Sequence, residues 1–147
     1  RDVSVLFVDL NKFKPINDNY GHKVGDEALV TVARALEGAV RTTDIVGRLG
    51  GDEFFVILPD ISAEGAVLVQ ERIAEAVSDV MFCVGAERIA LSISVGAATH
   101  EAGMNAQQLI ERADNAMYAM KRAESAASGV FSSRIKLDEL VGRIHAA

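Results

Sequence analysis

Three acidic side chains stand where an acid is costly. Asp9 follows a near-continuous apolar run, Val3 to Val8, while Asp52 and Glu53 sit between Gly50-Gly51 and the apolar run Phe54-Phe55-Val56-Ile57-Leu58. A carboxylate at the mouth of a buried strand loses hydration and needs a compensating partner. If the first run lies beside the second, Asp9 and Asp52 meet at one sheet edge. Two hard oxygen ligands from different strands suit Mg²⁺, which takes few protein ligands and draws the rest from substrate phosphates. Such pairs recur where two metals roughly 3.5–4 Å apart activate a hydroxyl and stabilise the departure of pyrophosphate. The plainer alternative for Asp9 is a turn former at a strand end.

Other polar residues gain meaning only if they gather around that pair. Lys12 and Lys14 flank Phe13 in the segment after Asp9, where ammonium groups and backbone amides can hold phosphate; a solvated surface loop is the commoner fate of such lysines. Lys121 adds a cation if its helix end faces the site. Asn17 and Asp26 suit guanine, because a carboxylate accepts from N1–H and the 2-amino group, which adenine cannot offer together. Their bland alternatives are a turn asparagine and an aspartate near a helix N-terminus. Arg41 and Asp44 form an i,i+3 pair worth roughly 0.2–0.5 kcal/mol on an exposed helix end.

The elements that must position these residues follow from periodicity. Val3–Val8 reads as a strand covered on both faces. The stretch 12–22 is rich in turn formers, with a short helix from Pro15 as an option. Glu27 to about Val40 is an amphipathic helix, with Gly25-Asp26 opening it. Ile45-Val46-Gly47 and Phe54–Leu58 flank Gly50-Gly51 as a β-hairpin. Ser62 is expected to cap a second helix carrying Val69, Ile73 and Val77. Met81–Val84 and Ile89–Ala97 read as two strands, the second half-buried with Ser92, Ser94 and Gly96 on its other side. Asn105 and Gln108 form a capping box for a third helix running to about Ala123. Beyond Ser125 a strand at Val130-Phe131 and a helix over Lys136–Ile144 are expected. The sum is an α/β (α+β) domain with a mixed, mainly antiparallel sheet and helices packed on it, nearest to the ferredoxin-like template.

Composition sets the outer bounds. The 147 residues, half of them apolar and 24% charged, suit one domain. Net charge of −6 argues against binding a nucleic acid polymer. The one cysteine, Cys83, has no intrachain partner, which fits a reducing compartment. No apolar run reaches the roughly 18 residues of a membrane span. The domain is therefore expected to be cytoplasmic, within a longer protein that could be tethered to a membrane.

At this point the residues match a family. Gly50-Gly51-Asp52-Glu53-Phe54, the stretch Asp9-Leu10-Asn11-Lys12-Phe13-Lys14-Pro15-Ile16-Asn17-Asp18 with Gly21-His22 and Gly25-Asp26, and Ala113-Asp114-Asn115-Ala116-Met117-Tyr118-Ala119-Met120-Lys121 resemble three motifs of the GGDEF domain of bacterial diguanylate cyclases. That family condenses two GTP into cyclic di-GMP and two pyrophosphates. The resemblance covers about residues 3 to 124. It implies a domain over 1–124 with a tail over 125–147, and a palm-like fold of the nucleotidyl-cyclase type. It implies that Asp9, Asp52 and the Leu10 carbonyl ligate Mg²⁺, with Mn²⁺ as its substitute, and that Glu53 assists deprotonation of the ribose 3′-hydroxyl. Asn17 and Asp26 would hold guanine. Lys14, Lys121 and amides near Lys12 and Phe13 would hold the triphosphate, while Gly50 and Gly51 would let the backbone approach the nucleotide. Arg41-Thr42-Thr43-Asp44 matches the family's inhibitory RxxD motif, and Arg72 a position that often completes the product site from a neighbouring subunit. The implied active species is a homodimer, linked to regulatory domains outside this chain. Three departures stand out: Asn11 for the commonest aspartate, Glu124-Ser125-Ala126 for Gly-Arg-Asn, and no N-terminal Leu-Thr-Gly-Leu-x-Asn-Arg segment. The loss of Gly-Arg-Asn motivates the alternative of a non-catalytic GTP- or cyclic di-GMP-binding module.

Overall fold

A computed structural model of the chain describes residues 2–124 and 144. The element order is β1 (Val3–Leu10), α1 (Phe13–Tyr20), α2 (His22–Ala39), β2 (Ile45–Gly50), β3 (Glu53–Pro59), α3 (Ala63–Ser78), β4 (Cys83–Val84), β5 (Glu87–Arg88), β6 (Ile93–Thr99) and α4 (Ala106–Glu124). Four strands pair in the order β2-β3-β1-β6, with every ladder antiparallel. This is the ferredoxin-like arrangement. β4 and β5 form a separate two-stranded ribbon.

Strand alternation sorts the apolar residues into two cores. Leu6, Val8 and Leu10 of β1 and Phe54, Val56 and Leu58 of β3 pack with α2 and α3. Val5, Phe7, Phe55 and Ile57 pack on the opposite face with Leu109, Ala113 and Met117 of α4. Ile144 also packs there. β1 is buried on both sides, as its unbroken apolar run requires.

Several boundaries differ from the sequence reading. The segment after Asp9 is largely helical: α1 starts at Phe13, with Pro15 inside its first turn, where a missing N–H breaks no intrahelical bond. α2 starts at His22, five residues before Glu27, so Gly25-Asp26 lies within the helix. Gly25 is there for contact, since a Cβ would fall 1.8 Å from Asn17 Oδ1 of the neighbouring helix. Met81–Val84 shrinks to the two residues of β4, with Cys83 exposed. The long strand Ile89–Ala97 is replaced by β5 and a later β6, although Ile89 and Leu91 remain buried. The side of β6 read as open is covered: Ser94 and Gly96 are buried because α4 lies on them. A Cβ at Gly96 would meet Met117 N at 2.0 Å. The Ser62 cap and the Asn105/Gln108 capping box form as expected, with Ser62 Oγ accepting from Gly65 N at 3.1 Å and Asn105 Oδ1 from Gln108 N at 2.8 Å. The strand expected at Val130-Phe131 and most of the helix expected over Lys136–Ile144 lie outside the described residues.

The close approach at Gly96 gives a stability prediction. Because the obstructing atoms are backbone, Gly96→Ala is expected to cost about 1–3 kcal/mol, lowering Tm by roughly 3–10 °C. A thermal melt followed by circular dichroism checks it, and an unchanged Tm would show that α4 does not press on β6 in solution.

Candidate active site

The site forms where β1 ends. Residues of β1 alternate between the two cores, so Asp9 follows Val5 and Phe7 onto the α4 side. Glu53 is its register partner on β3 and Ser94 its partner on β6. The hairpin tip is tied to the same place: Leu10 N donates to the Asp52 carbonyl at 3.1 Å. Asp9, Asp52 and Glu53 thus converge at one end of the sheet, and Asp9 and Glu53 are only 1% and 6% exposed.

Glycine makes this tip possible. Gly50 and Gly51 have φ of +134° and +52°, a conformation that L side chains resist. A Cβ on either would meet no protein atom within 4 Å, so backbone conformation rather than space within the chain sets the requirement here. Arg48 then folds over the turn, donating from Nε and Nη2 to the Gly51 carbonyl at 3.0 and 2.7 Å.

Asp9 carries the electrostatic cost. Burial, then the hydrogen bond that its protonated form donates to the Asp52 side chain and the charges of Asp52 and Glu53, push its carboxyl from the ordinary 3.8 to about 8, while Lys121 pulls it down. Its Oδ1 is buried without a hydrogen-bond partner. Lys121, near the end of α4 and 8% exposed, points its ammonium toward that atom at 3.7 Å. The same ammonium donates to Asn11 Oδ1 at 3.0 Å and to the Leu10 carbonyl at 3.4 Å.

Asn11 has a larger part than its sequence position suggested. Its Nδ2 donates to Ser92 Oγ at 3.1 Å and its Oδ1 accepts from Ser94 Oγ at 2.7 Å. It joins β1, β6 and α4 within a few ångströms of Asp9. Ser92, Ser94 and Arg48 are the residues that sequence reasoning missed. The alternating serines were the available signal, read as a solvent-facing stripe.

The base-reading candidates lie on the other face. Asn17 Oδ1 is buried without a partner beside Gly25. Asp26 is exposed one residue on and lines a groove of about 360 Å³ with Leu29, Ala33, Val46, Arg48 and Phe54. Phe13 packs partly buried against the adjoining core. Lys12 is exposed in a left-handed conformation at the start of α1. Lys14 is exposed and paired with Asp18 at 2.7 Å, so its ammonium is turned along the helix surface.

Arg41 and Asp44 sit at the far end of the hairpin. Arg41 Nη2 donates to Asp44 Oδ1 at 2.7 Å and to the Pro59 carbonyl at 2.8 Å, closing the open ends of β2 and β3. Arg72 donates to the Ala39 carbonyl at 3.3 Å, two residues before Arg41 in the same chain. Arg41 and Asp44 thus lie together on the α2–β2 connection, while Arg72 of α3 reaches the end of α2 in the same chain.

An antiparallel four-stranded sheet flanked by helices, with acidic groups at a glycine hairpin tip, defines a palm-like domain of the nucleotidyl-cyclase type. The family profile described as "Diguanylate cyclase, GGDEF domain" matches residues 1–127, and the chain belongs to that family. It is 42% identical over 121 residues to diguanylate cyclase DosC of Escherichia coli K12, covering 82% of this chain and 26% of that protein. Among solved structures, diguanylate cyclase SiaD of Pseudomonas aeruginosa, in complex with its activator SiaC, aligns with a TM-score of 0.79 and 37% identity over 83% of this chain and 47% of that one. The GGDEF domain of DgcB from Caulobacter crescentus, in complex with c-di-GMP, gives 0.76 and 30% identity over 87% and 74%. The chain spans about a quarter of the length of DosC.

A pH prediction follows from Asp9. Between about pH 4 and 8 the folded, metal-free protein keeps a proton that the unfolded chain releases. Folding then binds protons, so stability falls as pH rises through that window. Tm of the metal-free protein is expected to decline from pH 5 to pH 8, and Asp9→Asn to flatten that decline. Parallel pH–Tm curves for the two proteins would remove Asp9 as the source.

Proposed function

We propose that this domain acts as a diguanylate cyclase, joining two GTP into cyclic di-GMP with release of two pyrophosphates. One observation carries the reading: three carboxylates converge at the end of the sheet beside a buried cation, and one carboxylate oxygen there has no hydrogen-bond partner. The donor set fits a divalent metal, because Asp9, Asp52 and the Leu10 carbonyl are hard oxygens. Among the described residues no group of three or more His, Cys, Asp or Glu side chains is arranged to hold a metal ion by itself, so phosphate oxygens and water would have to complete the shell. Mg²⁺, when bound there, supplies neutralisation of the triphosphate and acidification of the attacking hydroxyl.

The chain's own residues do the remaining work. Glu53 accepts the proton of the ribose 3′-hydroxyl as it attacks the α-phosphate of the other GTP. Lys121 offers its ammonium to the triphosphate, joined by Lys14 once it leaves Asp18, and by the amides of Lys12 and Phe13 at the start of α1. Asp26 accepts from the guanine edge, with Asn17 beside it across the close contact of α1 and α2. Gly50 and Gly51 leave the tip without side chains where the nucleotide approaches. Each domain holds one GTP, so chemistry requires a second copy facing the first. Product returns to Arg41, Asp44 and Arg72 and inhibits turnover. The protein works in the cytoplasm, within a longer chain whose other parts regulate it.

The test is direct. The intact protein incubated with GTP and Mg²⁺ is expected to yield cyclic di-GMP, and Glu53→Gln to lower kcat by about 10²–10⁴-fold while retaining GTP binding. GTP binding without product, at concentrations high enough to pair two copies, would instead establish a binding module. For the inhibitory site, Arg41→Ala is expected to raise the half-inhibiting cyclic di-GMP concentration by about 10-fold or more, the loss of charged hydrogen bonds. Unchanged inhibition would move the product site elsewhere.

A further inference from the structure

The Lys121 ammonium is already placed as a cation in an oxygen shell. It lies 3.0 Å from Asn11 Oδ1, 3.4 Å from the Leu10 carbonyl and 3.7 Å from Asp9 Oδ1. Two of those oxygens belong to residues assigned above to the metal, so this inference rests on that assignment. An ammonium and a divalent ion compete for the same lone pairs and repel each other at short range.

We propose that Lys121 is a positioning residue that serves as a resident cation: its ammonium balances the carboxylate end of the sheet until metal and triphosphate arrive together, and then transfers to the phosphates. The surroundings suit such a transfer. Asn11 Oδ1 is held by Ser94 and its amide nitrogen by Ser92, so the shell stays in place when the ammonium leaves. The four-carbon stem of lysine lets the charged end swing without moving α4. Asn11 is neutral, and a neutral acceptor holds an ammonium less firmly than a carboxylate in its place would. The Asp9 contact, at 3.7 Å, is longer than a hydrogen bond. Metal alone must displace the ammonium from these oxygens, whereas a triphosphate also brings an anion that receives it. Lys121 therefore makes metal binding depend on nucleotide.

Calorimetric titration of Mn²⁺ into the intact protein, with and without a non-hydrolysable GTP analogue, tests this on wild type and Lys121→Gln. Lys121→Gln is expected to bind Mn²⁺ alone about tenfold or more tighter than wild type, since a like charge beside the ion is gone, and to lose much of the gain that the analogue brings. Equal or weaker binding of Mn²⁺ alone by Lys121→Gln overturns the proposal, provided wild type binds Mn²⁺ with the analogue. Failure of wild type to bind Mn²⁺ even with the analogue overturns the metal-site reading itself. If Lys121→Gln does not fold, the side-chain NMR resonances of Lys121 in wild type decide. A shift on saturation with Mg²⁺ and the GTP analogue supports release of the ammonium, and unchanged resonances overturn it.

Discussion

A carboxylate at the end of a strand covered on both faces is the constraint around which this domain is arranged. Side chains of β1 alternate, so the parity that sends Leu6, Val8 and Leu10 to one core sends Asp9 with Val5 and Phe7 to the other. A slip of one residue would exchange these faces and put the acid among the side chains of α2 and α3. The antiparallel register then sets Glu53 opposite Asp9, and the Leu10 amide fastens the Asp52 carbonyl beside them. Burial first, and then the like charges brought beside it, raise the proton affinity of Asp9. The surrounding structure offsets it with Lys121, held by Asn11 and the Leu10 carbonyl. The price of this arrangement is an end of the sheet that is uncomfortable until cations fill it.

How much of this was legible from the sequence depended on the range of the interaction. The hairpin, the cap at Ser62 and the capping box at Asn105 are local, and local chemistry announces itself in consecutive residues. The convergence of Asp9 and Asp52 was legible because two apolar runs each carry an acid at one end. What could not be read was which surface a third element would cover. Ser94 and Gly96 alternate with apolar residues like a solvent-facing stripe, yet they are small so that α4 can lie on them. Gly25 resembles the opening of a helix, but it sits inside α2 because Asn17 of α1 takes the space of a side chain. Likewise α1 hides behind Pro15 and a run of turn formers, since its first turn needs none of the amide that proline lacks. At Ser94, Gly96 and Gly25 tertiary contact overrode a local pattern, while at Pro15 helix geometry itself did.

The same hairpin joins two regions with opposite expected effects. Its tip holds Asp52 and Glu53, and its open end is closed by Arg41, which binds Asp44 and the Pro59 carbonyl. With β2 six residues and β3 seven residues long, those ends are separated by about 20 Å at roughly 3.3 Å per residue. A ligand held by Arg41 and Asp44 is thus too far from Asp52 to touch the reacting groups. The two strands pair from Ile45 to Arg48, with a register irregularity between Arg48 and Gly50, and β3 is buried along nearly its whole length, so the hairpin up to Arg48 transmits displacement as a unit rather than bending residue by residue. A ligand that engages Arg41 also draws on the bonds that close the hairpin, because the guanidinium now divides its donors between Asp44 and Pro59. The proposed inhibition from that end would have two physical routes: moving the hairpin as one body against β1, or changing how a second copy approaches the tip. The bond from the Leu10 amide to the Asp52 carbonyl resists the first, since shifting the hairpin would break the contact that keeps Asp52 beside Asp9. The second would leave that contact intact and act only on the proposed pairing of two copies, which makes it the less costly route for this fold.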